Sequence, residues 1–153
     1  MIREKISQAL KDAMRAKDEA KTTTLRTVNA AIKQKDIDVA RPRGDREIGA
    51  DETLNLLQSL VKSRRESIEL YKLGGRQDLV DKESAEIAII EEFLPKQMSE
   101  DETRVAIREI VAATGASSVK DMGKVMAALK SKYAGQLDMT KASAAVKEVL
   151  SGH

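Results

Sequence analysis

The sequence predicts an all-α protein, and three observations carry that expectation. Only three of the 153 residues are aromatic (Tyr71, Phe93 and Tyr133), which leaves a sheet short of its favoured side chains. Long stretches are built from Ala, Leu, Lys, Glu and Arg, the strong helix formers. Apolar residues recur at steps of three and four nearly throughout, which is the helical period.

The elements follow in order. Ile2, Ile6, Ala9, Leu10, Ala13 and Met14 form one stripe of a first helix. A second, around residues 22–36, presents Leu25, Val28 and Ile32. "ARPRGDREIGA" reads as a loop, because Pro42 and two glycines break the pattern. Asp51 is the expected cap of a long third helix, with Leu54, Leu57, Val61, Ile68 and Tyr71 on one side. Ending at Lys72, it would be about 33 Å long. Gly74 is expected to take the left-handed conformation that closes it, with Gly75 reversing the chain. A fourth helix, capped by Asp78, carries Leu79, Ile87, Ile90 and Leu94, and Pro95 halts it.

Beyond "LPKQMSED" the punctuation is equally legible. Ser99 and Glu102 have the spacing of a capping box, opening a helix with Ile107, Ile110 and Val111 that ends near Gly115. Ser118 and Asp121 repeat the logic before a helix whose stripe is Val119, Met122, Met126, Leu129 and Tyr133. Gly135 stops that helix. Asp138 caps the last, which buries Met139, Ala142, Val146, Val149 and Leu150. The expected organisation is a four-helix N-terminal domain over residues 1–95, including a long helix hairpin, and a three-helix C-terminal domain over 96–153.

Composition excludes much chemistry. Cysteine is absent and the one histidine, His153, is the last residue, where chain ends fray. Disulfides, thiolate zinc sites and Cys–His or Ser–His nucleophile pairs are therefore not expected, nor is any metal or cofactor. No apolar run reaches the roughly 18 residues of a membrane span, so no membrane partner is expected. The amphipathic, basic N-terminus invites a transit-peptide reading, but such peptides avoid acids, and Glu4 and Asp12 are present. The expected location is cytoplasmic. Net charge is +2 and unevenly spread: net +4 over residues 1–47, −4 over 48–100 and +2 over 101–153. That distribution permits nucleic-acid binding without demanding it.

The stretch "KSRRESIELYKLGGRQDLVDKE" concentrates charge around a Gly-Gly pair. Lys62–Glu66 and Arg65–Glu69 are i,i+4 pairs, and Asp78 and Asp81 suit a helix start, so most charges have a local structural role. Arg64, Arg76 and Lys72 do not. A solvated helix hairpin is the favoured reading, and a guanidinium at Arg64 or Arg76 contacting phosphate is the alternative. Glu83, Glu86, Glu91 and Glu92 read as solvated helix charges, since no His or Asp stands near to complete a metal site.

"TLRTVNAAIK" (Thr24–Lys33), "KSRRESIELYKLGGRQDLVDKESAEIAIIEEFLP" (Lys62–Pro95) and "DMGKVMAALKSKYAGQLDMTKASAAVKEVL" (Asp121–Leu150) resemble the YqeY family in order and spacing. That family is similar in turn to the C-terminal tail region of GatB, one component of the glutamine-dependent aspartyl/glutamyl-tRNA amidotransferase. The resemblance implies a helical domain followed by a three-helix domain, and the label of a carbon–nitrogen ligase with glutamine as amido-N-donor. In the larger enzyme the tail helps hold tRNA while other domains perform the chemistry, so this chain is expected to be noncatalytic alone. The implied partners are tRNA and a protein linked to tRNA processing or aminoacylation. The candidate contacts are Lys120, Gly123, Lys124, Lys132, Lys141 and Lys147, with Arg64 and Arg76 as secondary candidates. Lys120 and Lys124 lie opposite the apolar stripe of the sixth helix, and Gly123 would let a phosphate approach backbone N–H groups. A solvated lysine face and an RNA-contacting one both remain open. The runner-up function is a protein–protein adaptor that uses the helix hairpin around Gly74–Gly75.

Overall fold

The apolar stripes fold into seven α-helices and no strand among residues 2–152, which are those the computed structural model describes. His153 lies outside them. The chain divides into two compact units, Met1–Leu94 and Pro95–His153.

In the first unit, α1 (Ile2–Arg15), α2 (Glu19–Lys35), α3 (Ala50–Leu73) and α4 (Gln77–Glu91) close over Ile6, Leu25, Val28, Ile32, Leu57, Val61, Ile87 and Ile90. Met14, assigned to the α1 stripe, is instead 49% exposed, one residue past the buried Ala13 where the helix ends. The α1–α2 turn places Lys17 at φ 57°, and the Asp18 side chain caps α2 by accepting from the Lys21 N–H at 3.1 Å. Along the α3–α4 hairpin, Arg64 donates to Glu86 at 2.9 Å and Arg65 lies 3.6 Å from Glu91.

Three expected caps are corrected. Gly49, not Asp51, precedes α3, because the Glu52 side chain reaches back to accept the Gly49 N–H at 3.0 Å. That carboxylate also meets the Arg43 guanidinium, whose hydrogen bond is the main cause that brings the Glu52 pKa down to about 2. Gly75 rather than Gly74 takes the left-handed turn, at φ 69°. Asp78 lies inside α4, where it pairs with Arg76 at 3.0 Å instead of capping.

The expected loop after α2 begins as helix. A π-helical turn, Asp36–Ala40, closes with the Arg41 N–H donating to the Asp36 carbonyl, and a 3₁₀ turn, Arg41–Arg43, follows. Pro42 sits near the start of that short turn, where its missing N–H costs nothing. Asp36 is buried, 7% exposed, although charged. Its Oδ1 accepts from the Arg3 guanidinium and from the Ile48 N–H at 2.9 Å. One carboxylate thereby joins α1, the π turn and the residue before the α3 cap.

The second unit contains α5 (Glu100–Thr114), a 3₁₀ turn (Val119–Asp121), α6 (Met122–Lys132) and α7 (Met139–Leu150). Its core is Ala106, Ile107, Ile110, Val125, Leu129, Leu137, Ala142, Val146 and Leu150. The segment entering α5 is fastened to the α6–α7 turn. The Met98 N–H donates to the Gln136 carbonyl at 2.9 Å, and Gln97 Nε2 to that of Gly135 at 2.7 Å. Ser99 and Glu102 form the expected capping box, and Asp138 caps α7 through the Thr140 and Lys141 N–H groups. The α6 stripe differs: Val125 is fully buried with Leu129, whereas Val119 is 44% exposed. The reason is phase. Val119 lies in a 3₁₀ turn, with about 3.0 residues per turn, so spacing counted through it does not follow the α period.

Candidate nucleic-acid interface

The candidate lysines sit on a frame built from turns. Gly115 ends α5 at φ 71°, and the Asp121 carboxylate accepts from the Ser117 and Ser118 N–H groups, which hold its pKa below the usual range. Lys120 projects from this turn and is exposed. Lys124, also exposed, reaches back so that Nζ lies 3.4 Å from the Thr114 carbonyl at the end of α5. A cation there complements the negative end of the helix, which is a structural role.

Lys132 is in the last turn of α6, with Nζ 5.6 Å from the centroid of the Tyr133 ring. Lys147 is in the last turn of α7, again where a cation favours the helix dipole. Its neighbour Glu148 is taken by Arg104 of α5 at 2.7 Å. Lys141 stands in the first turn of α7, where a cation opposes the dipole. Lys141 and Lys147 are separated by about 120° around that helix, so α7 does not present them on one face. Lys130, exposed in the last turn of α6, was not among the sequence candidates. Its signal was present, as a basic residue two positions from Lys132 near a helix end.

Gly123 lies in the first turn of α6, and a Cβ built there meets nothing within 4 Å. No internal packing requires a glycine. Gly123→Ala is therefore expected to raise stability by about 0.5 kcal/mol through a smaller backbone entropy cost. Thermal melting checks this, and a lowered melting temperature would contradict the geometry.

The secondary candidates separate. Arg64 is not an exposed fork: its side chain is 15% exposed, with Nε on Glu86 and a second N–H donating to the Leu60 carbonyl at 3.1 Å. Its own helix and the facing one claim it, and the Glu86 bond ties α3 to α4. Arg76 is exposed and paired with Asp78. Glu86, read from the sequence as a solvated charge, is the partly buried partner of Arg64.

Among the described residues, no group of three or more His, Cys, Asp or Glu side chains is placed to hold a metal ion. No helix there is long and apolar enough to cross a membrane.

The family model described as Yqey-like protein matches residues 3–150. The chain belongs to the YqeY family. Curated relatives of this YqeY protein include "Altered inheritance of mitochondria protein 41, mitochondrial" from Eremothecium gossypii, 39% identical over 89 residues, which is 58% of this chain and 46% of the relative. The protein of the same name from Kluyveromyces lactis is 36% identical over 88 residues, 58% of this chain and 45% of its own length. That of Saccharomyces cerevisiae (strain YJM789) is 36% identical over 85 residues, 56% of this chain and 44% of its own. The matched segment thus spans a little under half the length of these relatives. Their names mark them as mitochondrial proteins, and the cytoplasmic location expected from the sequence is withdrawn on that finding.

Proposed function

We propose that this YqeY protein is a noncatalytic module that binds tRNA, or serves a tRNA-linked enzyme, through phosphate contacts of its C-terminal unit. The resemblance that the sequence reading draws between the YqeY family and the tail region of an amidotransferase component supports that reading. The observation that carries it is the placement of Lys120 and Lys141. Both are exposed, and neither forms an ion pair among the described residues. Lys141 stands in the first turn of α7, where a cation costs a few tenths of a kcal/mol or more, and Lys120 stands in a short 3₁₀ turn that its charge does not hold together. The carbon–nitrogen ligase label is then inherited from the larger enzyme, with no amide-forming step performed by this chain.

The C-terminal unit offers no free aromatic platform for base stacking among its described residues, because Tyr133 packs against the core of that unit. Contact with the sugar–phosphate backbone, which carries no sequence information, is the mode that remains. Replacing Lys120 and Lys141 together by Ala is expected to weaken several unrelated tRNAs to the same degree. Helicity should not change and stability should shift by no more than about 0.5 kcal/mol. Unchanged affinity in that variant would remove the proposal.

One observation favours an adaptor instead. Leu70 and Leu73, at the end of α3 beside Gly74–Gly75, are 69% and 87% exposed. Two large apolar side chains at a hairpin tip suit a protein partner. Leu70→Ser with Leu73→Ser leaves tRNA affinity intact under the first reading and abolishes partner capture under the second.

A further inference from the structure

The first unit carries an open polar surface with no assigned role. Arg3, Ser7, Lys11, Asn29 and Lys33 line a cleft of about 520 Å³ between α1 and α2. A second cleft, of about 710 Å³, is lined by Asp36, Arg41, Asp45, Arg46 and Glu47. Glu47 borders both.

Charge on this surface is sorted by its ion pairs. Asp36 is taken by Arg3 and the Ile48 N–H, Asp45 by Arg43 at 2.7 Å, and Glu47 lies 3.6 Å from Arg3. The remaining acid of the first cleft, Glu4, also has a partner. Four cations are left over: Lys11, Lys33, Arg41 and Arg46 are exposed and in no ion pair among the described residues. Each acid has a partner within the fold, and the cations in no ion pair stand at both ends of the surface.

We infer that this two-lobed surface is a binding site for a chain of phosphates, with Arg41 and Arg46 at one end and Lys11 and Lys33 at the other. Arg41 and Arg46 supply guanidinium forks suited to phosphate oxygens. Polar atoms make up about half of the lining or a little more, and the cations spaced along it are the groups that suit an extended anion. The site is separate from the lysines of the C-terminal unit and stands or falls independently of them.

The test uses the full chain at low salt with three probes: inorganic polyphosphate, inorganic phosphate and tRNA. Polyphosphate is expected to bind, and inorganic phosphate at the same phosphate concentration to compete at least tenfold less well. Arg41→Ala with Arg46→Ala, and Lys11→Ala with Lys33→Ala, should each weaken polyphosphate about tenfold or more. Arg41→Lys with Arg46→Lys should restore most of that loss, as charge requires. Glu47→Gln should strengthen binding severalfold, an effect that a purely structural role would not produce. Arg108→Ala, which removes an exposed cation of α5 that lines neither cleft, should leave polyphosphate within twofold. If the arginine pair also weakens tRNA, the chain of phosphates is an RNA backbone; if tRNA is untouched, it is a free phosphate chain. Absence of polyphosphate binding, indifference to the arginine pair, or equal loss in the Arg108 variant would each overturn the site.

Discussion

Replacing Leu129 by alanine is expected to unfold the C-terminal unit while the N-terminal helices persist. Leu129 is fully buried beside Val125 and packs with residues of α5 and α7. Truncating a buried Leu to Ala costs about 2–5 kcal/mol, part transfer and part cavity. A unit of this size, without disulfide or metal, has about 3–5 kcal/mol to lose. The cost therefore matches the whole stability of the unit. Amide exchange followed residue by residue checks it: residues 100–150 should lose protection while α1–α4 keep theirs. Loss of protection in both units together would show that they fold as one, and would overturn the expectation that residues 96–153 form a separate domain.

Asp36→Ala is the second large effect, expected to cost about 3 kcal/mol. Removing one partner of a buried ion pair costs about 3–5 kcal/mol, and Arg3 remains 24% exposed, which places the cost at the low end. Burial pushes the Asp36 carboxyl up, but the Arg3 guanidinium, the Ile48 N–H and the field of Arg41 together carry it below its usual value. A depressed folded pKa means that the pair's contribution is complete above the unfolded value, near 3.9, and is lost as pH falls through the folded one. Arg41, Arg46 and Glu47 line the same cleft as this carboxylate. Melting temperature against pH should therefore drop more steeply below about pH 4 in the wild type than in Asp36→Asn. Parallel curves would mean that the carboxylate does not hold the loop.

What the sequence revealed and what it hid follow one rule. The capping box at Ser99–Glu102, the Asp138 cap and the buried face of α2 depend on neighbours within four residues, and all were legible. Gly49 was missed as a cap because Asp51 has the better side chain, while Glu52, reaching backwards, decided the start. Val125 was hidden by a 3₁₀ turn that shifted the phase of the α6 stripe. Arg64 looked unemployed because its partner, Glu86, lies 22 residues away. Asp36 gave no signal at all, since its partners are 33 and 12 residues distant. Among the candidate lysines, sequence showed exposure; only the structure separated Lys124 and Lys147, which serve helix ends, from Lys120 and Lys141, which do not.

The central claim is that this protein meets RNA through phosphates, and the salt dependence of tRNA binding tests it most directly. Each neutralised phosphate releases condensed counterions, so the logarithm of affinity should fall linearly with that of salt concentration, by about 0.9 per contact on a duplex. The wild type is expected to show a slope of about −2 or steeper, and Lys120→Ala with Lys141→Ala to flatten it by about 1.8. A slope that the double variant leaves unchanged, or no measurable tRNA affinity at low salt, would contradict the account.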